Sequence, residues 1–389
     1  MRYRADVAVL GAGAIGSAIA LKARGLGASV VLVDAGRAGS GTTGATFSWF
    51  NASSKIRLDY PREYFELNKT GVEHAYRLAR ELPDGSWLHP TGNIEVVSGR
   101  GMDQLRTDVA EMVGRGYPVS LVDAQAASDL EPALRLPADS MAACYPHEGW
   151  IDGPHLVRSL VDGLRRTGGD LVESDAVVRF AIQNGRVARA ELASGSSVEA
   201  DIFVLAAGID TMALAALADV SIPMVERASP SVAGLLVHCQ VPSDEAPPHR
   251  IVHVNGVAVR PNGDRRVLMV DAEGDPELTL DTPAELLALK ADVVLRRARE
   301  GLPGLRVASR TSVVIGVRAL PTDRVSIIGH APGVDGLYVA ATHSGISLAA
   351  IIAELAGSEI VLREQQRALE PFRPSRFVRS DPEVATAVQ

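Results

Sequence analysis

Two four-residue apolar runs stand near the start of the chain, at 7–10 and 30–33, with the pattern of strands covered on both faces. Residues 14–23 between them are small and suited to a helix. The segment therefore predicts strand, turn, helix, strand, with the two strands parallel and adjacent. Residues 39–54 break the periodicity with Gly, Thr and Ser around Phe47, Trp49 and Phe50, and read as an irregular loop entering a helix. Helical spacing returns at 64–82, ended by Pro83, then at 102–115 and 123–130, with a strand candidate at 90–98. Residues 153–166 predict a helix with Pro154 in its first turn and Asp152 as its cap. Alternation at 177–182, 187–192 and 197–200, with Asn184-Gly185 and Ser194-Gly195 between, predicts an antiparallel meander. It leads into 202–206, apolar enough for a central parallel strand. Strands at 231–238, 251–259 and 266–270 predict a second sheet, and 283–300 a long helix. Further strands fall at 310–317, 325–328 and 337–341, followed by a helix at 347–355.

The elements that look like one nucleotide-binding sheet are thus scattered through 389 residues, too many for a single simple core. We expect α/β architecture plus an antiparallel sheet. A discontinuous Rossmann-like domain (1–82, 146–222 and 310–370) would interleave with a mixed-sheet substrate domain (83–145 and 223–309), and 371–389 would form a loose tail. The net charge of −8 is spread along the chain with no basic block, which argues against a nucleic-acid partner. No run of about 20 apolar residues predicts a membrane span. Cys144 and Cys239 have neither metal spacing nor a paired framework, which fits free thiols and a cytoplasmic setting. Arg2 and Arg4 before an apolar stretch imitate a secretory leader, but the glycine spacing within that stretch and the strand after it favour a folded role. His147-Glu148 beside Trp150 does not amount to a metal site, and no metal is expected.

The chemistry-bearing motif is Gly11, Gly13 and Gly16 in GAGAIG. The first glycine permits the tight turn, the second lets a pyrophosphate approach the backbone, and the third lets helix and strand pack closely. The helix that follows, beginning with Ala14 and Ile15, offers free N–H groups to phosphates. Asp34, followed by Ala35, ends the second strand where a carboxylate can accept from ribose hydroxyls. The motif predicts a dinucleotide and leaves NAD and FAD both open.

Four separated segments resemble the FAD-dependent family of D-amino acid oxidase, glycine oxidase and sarcosine oxidase: DVAVLGAGAIGSAIALKARGLGASVVLVDAG (6–36), GSGTTGATFSWFNA (39–52), the region 170–210, and GVRALPTDRVSIIG with GLYVAATHSGISLAA (316–350). The resemblance implies non-covalent FAD, since no cysteine lies near the position where some sarcosine-oxidase relatives attach theirs. It implies that Ser40, Thr42 and Thr43 cover the flavin, that Val177, Ala207 and Gly208 hold the adenosine half, and that Ser344, Gly345, Ile346 and Ser347 face the reactive end. There the helix amides suit the anion that develops on a reduced flavin. Asp34 stands where that family more often has Glu.

Arg318 lies in an apolar strand, 313–320, just before Pro321, and must be paired or line a cavity. The resemblance implies that it forks onto a substrate carboxylate; a structural ion pair is the alternative. Trp49 is expected either to line the pocket or to anchor the loop. His343 is a candidate polar group of the pocket, and His253 is expected to be a satisfied structural histidine. These readings predict an enzyme that oxidises the C–N bond of an amine or amino acid by hydride transfer to flavin N5, with oxygen or an electron carrier as acceptor. A 2-hydroxy acid dehydrogenase of the same fold, an NAD-dependent dehydrogenase and a non-catalytic FAD-binding subunit are the competing readings. A flavin hydroxylase would need a DG and a GD fingerprint that the chain lacks. The oligomeric state is left open, a homo-oligomer included.

Overall fold

The computed structural model describes residues 1–274 and 276–377. Its first sheet is built on the strand Arg2–Leu10, which pairs in parallel with Val30–Val33 on one side and Ser197–Leu205 on the other. Asp170–Val172 extends the sheet beyond Val30–Val33, and Leu337–Ala341 pairs in parallel with the end of Ser197–Leu205. Strands from three distant parts of the chain therefore lie side by side. The meander Val177–Gln183 and Arg186–Leu192 joins antiparallel to the first half of Ser197–Leu205. The expected alternating stretch at 197–200 and the buried one at 202–206 are thus a single strand. The short strand at 170–172 escapes the sequence reading because three residues set no period.

The helix Ala14–Gly25 covers one face of this sheet and packs against Gly345–Gly357 and Gly153–Arg166. Besides Ile15 and Ile19, its buried residues are Ala14, Gly16, Ser17, Ala18, Ala20 and Ala23, small enough for close approach. Asp152 accepts from the His155 amide at 2.9 Å, the cap that the sequence predicted. Gly345–Gly357 continues to Leu362 as an 18-residue stretch apolar enough to cross a membrane, but more than half of it is buried between Ala14–Gly25 and Arg62–Glu81. It is a core helix of the sheet domain.

The second sheet is mixed. Its order runs from Ser309–Val317 through Ala233–Gln240, Arg266–Asp271, Val257–Pro261 and Ile251–Val254 to Asn93–Val97, Met141–Tyr145 and Ser120–Asp123. The pair Ile251–Val254 and Asn93–Val97 is parallel and the other neighbours are antiparallel. Alternation along each strand sends Leu235, Val237, Val252 and Val254 into a core under the helix Ala284–Gly301. Leu236, His253 and Ala258 face the other way, toward a cavity.

Two expectations need correction. Residues 310–317 belong to the second sheet, because they pair with Ala233–Gln240 over the whole strand. Residues 371–377 are not loose. Phe372 is buried, and Arg373 pairs with Glu359, whose carboxylate also accepts from Tyr338 at 2.7 Å. The rest of the expected tail, 378–389, lies outside the described residues.

Candidate active site

The glycine turn has the backbone that its sequence demands. Gly11 has φ of +114°, and a Cβ there would lie 2.3 Å from the Ala206 carbonyl oxygen. A Cβ on Gly16 would lie 1.8 Å from the Gly11 carbonyl oxygen, so the helix can sit this close to the strand only without a side chain. Gly13 caps the helix with no side-chain partner. Thr43 Oγ1 accepts from the Ala14 amide at 3.1 Å, and the remaining first-turn amides have no acceptor within the helix. Asp34 accepts from the Ala12 and Gly36 amides at 2.6 and 2.7 Å, so it shapes the turn as well as ending the strand.

The other candidate segments converge on this turn. A Cβ on Gly208, whose φ is +60°, would lie 3.9 Å from Thr42 Oγ1, and one on Gly345 would lie 3.7 Å from Ile15 Cγ1. One on Gly153 would meet the Thr43 carbonyl at 2.5 Å and Ile346 Cδ1 at 3.5 Å. Ser347 Oγ accepts from the Asn51 amide at 3.1 Å, tying the covering loop to a helix start 296 positions away. Ser344 precedes that helix without capping it through its side chain, and it accepts from the Tyr64 hydroxyl at 3.0 Å. Ser40 hydrogen-bonds only locally, to the Arg37 carbonyl, and Ala35 follows Asp34 in the same turn. Val177 packs at the edge of the meander core.

Beside this junction lies a cavity of about 480 Å³, walled by Thr42, Trp49, His253, Arg318, His343 and Ile346 among others. A larger depression, about 1390 Å³, runs along Glu359 to Arg376 and is not lined by Gly11, Gly13 or Gly16. The candidate residues Thr42, Trp49, Arg318, His343 and Ile346 all line the smaller cavity. Arg318 enters it just past its strand. Its Nη1 donates to the Ser231 and Ala233 carbonyls at 3.1 and 2.9 Å, and among the described residues no carboxylate pairs with it. Burial holds the guanidinium below its ordinary range. His343 faces the open cavity deep within the protein; burial, with Lys55, Arg318 and Arg324 nearby, pushes its imidazole down to about 3. It is a neutral donor or acceptor at physiological pH.

Trp49 was expected to line the pocket or to anchor the loop. It lines the cavity, and its Nε1 donates at 2.9 Å to Glu148, a fully buried carboxylate. Glu148 also accepts from the Tyr117 hydroxyl at 2.7 Å and from the Ser53 amide and Asn93 Nδ2, both at 3.2 Å. Burial raises it above the ordinary carboxylate range. It anchors the covering loop. Its neighbour His147 joins no metal cluster, and no group of three or more ligating side chains exists among the described residues.

His253 contradicts expectation. It is buried, both ring nitrogens lack hydrogen-bond partners, and its ring lies 4.5 Å from that of Trp49 on the cavity wall. Burial drives it well below its ordinary range, so it stays neutral. The strand period carries it off the core face and onto the cavity face.

Lys55 was missed altogether. It is 5% exposed, lines the same cavity, and among the described residues donates from Nζ only to Ser54 Oγ at 3.0 Å. Burial outweighs the attraction of Glu148 and lowers it to about 8. The signal in the sequence was a lysine directly behind the covering loop, in a short stretch with too few positions to show a helical period.

A parallel sheet with a glycine turn at the edge of one central strand, a loop folded over it and a mixed second sheet closing a cavity define a two-domain dinucleotide oxidoreductase. The chain belongs to the FAD dependent oxidoreductase family (DAO), whose model matches residues 6–358, and FAD is its cofactor. It is similar to glycine oxidase of Geobacillus kaustophilus (strain HTA426), with 25% identity over 97% of this chain and 98% of that one. The crystal structure of glycine oxidase from Geobacillus kaustophilus superposes with a TM-score of 0.84, covering 96% of this chain and 99% of that one. L-proline dehydrogenase from P. horikoshii shares the fold at a TM-score of 0.83 and 19% identity, covering 98% of this chain and 100% of that one. Iminodiacetate oxidase from Chelativorans sp. BNC1 does so at 0.79 and 22%, covering 95% and 98%. The glycine cradle fits FAD: at Gly11 and Gly16 a Cβ would collide with backbone, and a helix start whose first amides lack intrahelical acceptors is what a pyrophosphate requires.

Proposed function

We propose that the protein oxidises the C–N bond of a small amino acid or amine that carries a carboxylate. The observation that carries this reading is Arg318, a guanidinium on the cavity wall with no carboxylate of its own, close to the start of the helix Gly345–Gly357. A planar fork with Nε and Nη2 free suits one carboxylate held by two parallel bonds. FAD, when bound, supplies the acceptor for the α-hydrogen and its electron pair. The chain's own residues do the rest. Arg318 fixes the carboxylate end, the apolar and aromatic wall around Trp49 restricts water, and neutral His343 and His253 offer hydrogen bonds without adding charge. Oxidation removes the α-hydrogen with two electrons from the neutral amine and leaves an iminium, which adds water and releases ammonium or a protonated primary amine with a carbonyl product. Oxygen or an electron carrier takes the electrons in turn.

Residues of the Gly11 turn, Asp34, Thr42, Thr43, Gly208 and the amides of 345–347 would hold the cofactor. The FAD is non-covalent in this reading: Cys144 and Cys239 are buried in the second sheet and neither lines the cavity. Acid precipitation should leave a colourless pellet and a yellow supernatant. The activity itself is tested by anaerobic bleaching with a panel of primary and N-alkyl amino acids, their decarboxylated amines and 2-hydroxy acids. Reduction by the amino acids supports the proposal. Reduction by hydroxy acids alone, or by nothing in the panel, overturns it.

A further inference from the structure

The charges lining the cavity do not balance. Its cations are Lys55, Arg57, Arg318 and Arg324, and its acids are Asp271 and Glu273. Arg57 is taken by Glu95 at 2.7 Å. Asp271 and Glu273 are both taken by Arg297, at 3.1 and 3.0 Å. Three cations remain, and among the described residues none has a carboxylate within ion-pair distance.

These three are gathered, not scattered. Lys55 Nζ lies 5.5 Å and Arg324 Cζ 4.5 Å from the centroid of the Tyr60 ring, and Arg318 lines the same cavity. His343 feels all three. Arg324 is exposed at the mouth in a left-handed backbone conformation, φ +65°, which is uncommon for arginine. Lys55 is buried with one hydrogen bond out of three it can donate. Like charges brought together in this way repel, and a buried ammonium with so few partners destabilises the free protein. One anion is in electrostatic reach of Lys55, Glu148, but its oxygens already accept four hydrogen bonds elsewhere. Three cations less Glu148 leaves an excess of two positive charges.

Resting on the reading of Arg318 above, we infer that the substrate is an amine bearing two carboxylates, one on Arg318 and the other on Lys55 with Arg324 at the mouth. A single carboxylate would leave Lys55 without a counter-charge, whereas a dianion matches the excess. The second acidic group could hang from the α-carbon side chain or from the amine nitrogen. The chemistry is shared, and the substrates below tell the two apart.

The test uses the holoenzyme and the spectrum of its oxidised flavin. Non-oxidisable acids are titrated: acetate and propionate against succinate, glutarate and thiodiacetate. The best dicarboxylate should bind at least about tenfold more tightly than the monocarboxylates. In K55M and in R324M that ratio should shrink toward one, while in R318M both classes should weaken. Because Lys55 is buried, exposed Arg324 keeps the test decisive should K55M fail to fold. Equal binding of mono- and dicarboxylates, or a ratio that survives in both variants, overturns the inference. In a second arm the flavin is bleached anaerobically with aspartate and glutamate, with N-carboxymethylglycine, and with glycine, N-methylglycine and proline. Faster bleaching by one dicarboxylate group supports the inference and identifies where the second acid sits. Bleaching by monocarboxylates with no dicarboxylate advantage overturns it and leaves the proposed function standing. No bleaching by any amine, with dicarboxylates still bound preferentially, overturns the function while supporting the recognition of two charges.

Discussion

Arg318→Ala removes the one group on which the proposed function turns. In the protein its Nη1 holds two carbonyls, those of Ser231 and Ala233, and the residue lines the cavity. A guanidinium and a carboxylate about 4 Å apart at an effective dielectric of about 20 attract by ~4 kcal/mol. Removing one partner of a buried pair costs ~3–5 kcal/mol, and the half-exposed position of Arg318 argues for the lower end. The expected loss is therefore ~3 kcal/mol, about a hundredfold in kcat/KM. The assay should isolate the carboxylate. Anaerobic stopped-flow reduction would be compared for an amino acid and for the amine that lacks its carboxylate, in the native protein and in R318A. The advantage of the amino acid should fall about a hundredfold, while reduction by the amine stays within a few-fold. R318K, which keeps the charge but loses the fork, should lie between. Loss of the two carbonyl contacts could loosen the loop at 229–233, so FAD content and melting temperature would be followed in the same samples. An unchanged amino acid to amine ratio, with FAD retained, would refute the assignment and return Arg318 to a purely structural role.

Gly16→Val should yield a colourless protein, because its side chain would lie on the Gly11 carbonyl and force helix and strand apart; the ratio of visible to ultraviolet absorbance reads this directly. Glu148→Gln can satisfy donors at only one of its two former oxygens, leaving two of the four facing an amide NH₂, and should destabilise by ~2–4 kcal/mol in denaturant unfolding. Lys55→Met should stabilise the protein measured without substrate. The folded lysine sits at about 8 against 10.5 when unfolded, so its penalty of ~3 kcal/mol is complete below pH 8 and disappears as pH rises toward 10.5. A stability gain from K55M that does not shrink between pH 8 and 10.5 would contradict a buried, charged Lys55.

Most of the fold was legible because its longer elements carry a clear period. The glycine turn, the two parallel strands, the meander and the long helices can all be read from spacing. What was not legible had a physical reason each time. The strand Asp170–Val172 is too short to show a pattern, and Trp49–Phe50 pairs with Gly149–Ile151 inside what reads as a loop. The strand at 309–317 reads correctly as a strand, but its sheet is decided by pairing with Ala233–Gln240, which sequence spacing does not encode. The site divides in the same way. Residues recognised by backbone geometry, the glycines above all, can be found from motif spacing. Residues recognised by what surrounds them, Lys55, Glu148 and His253, cannot. A lysine reads as surface and a lone histidine as satisfied, and only the tertiary fold turns both into cavity walls.

The covering loop explains how an unfavourable set of charges can persist. Within 42–57, Thr43 holds the first turn of the dinucleotide helix, Trp49 joins the cavity wall to Glu148, Asn51 reaches Ser347, and Lys55 presents its charge. Arg260, buried and stacked 4.1 Å from the Trp150 ring, donates to the Phe47 carbonyl at 2.7 Å and fixes the same loop from the second sheet. The bonds of Thr43, Trp49, Asn51 and Arg260 join elements far apart in sequence, and those to Glu148 and from Arg260 involve a charged partner, the stronger kind. Together they offset the cost of burying Lys55, which no short-range contact does. On the proposed reading the loop links the glycine turn that would hold the pyrophosphate to the cations that would receive the substrate's second acid. A change at Glu148 should therefore be felt at both ends, as weaker FAD retention and as a lower affinity for dicarboxylates. A change at Arg318, outside the loop, should be felt at the substrate end alone.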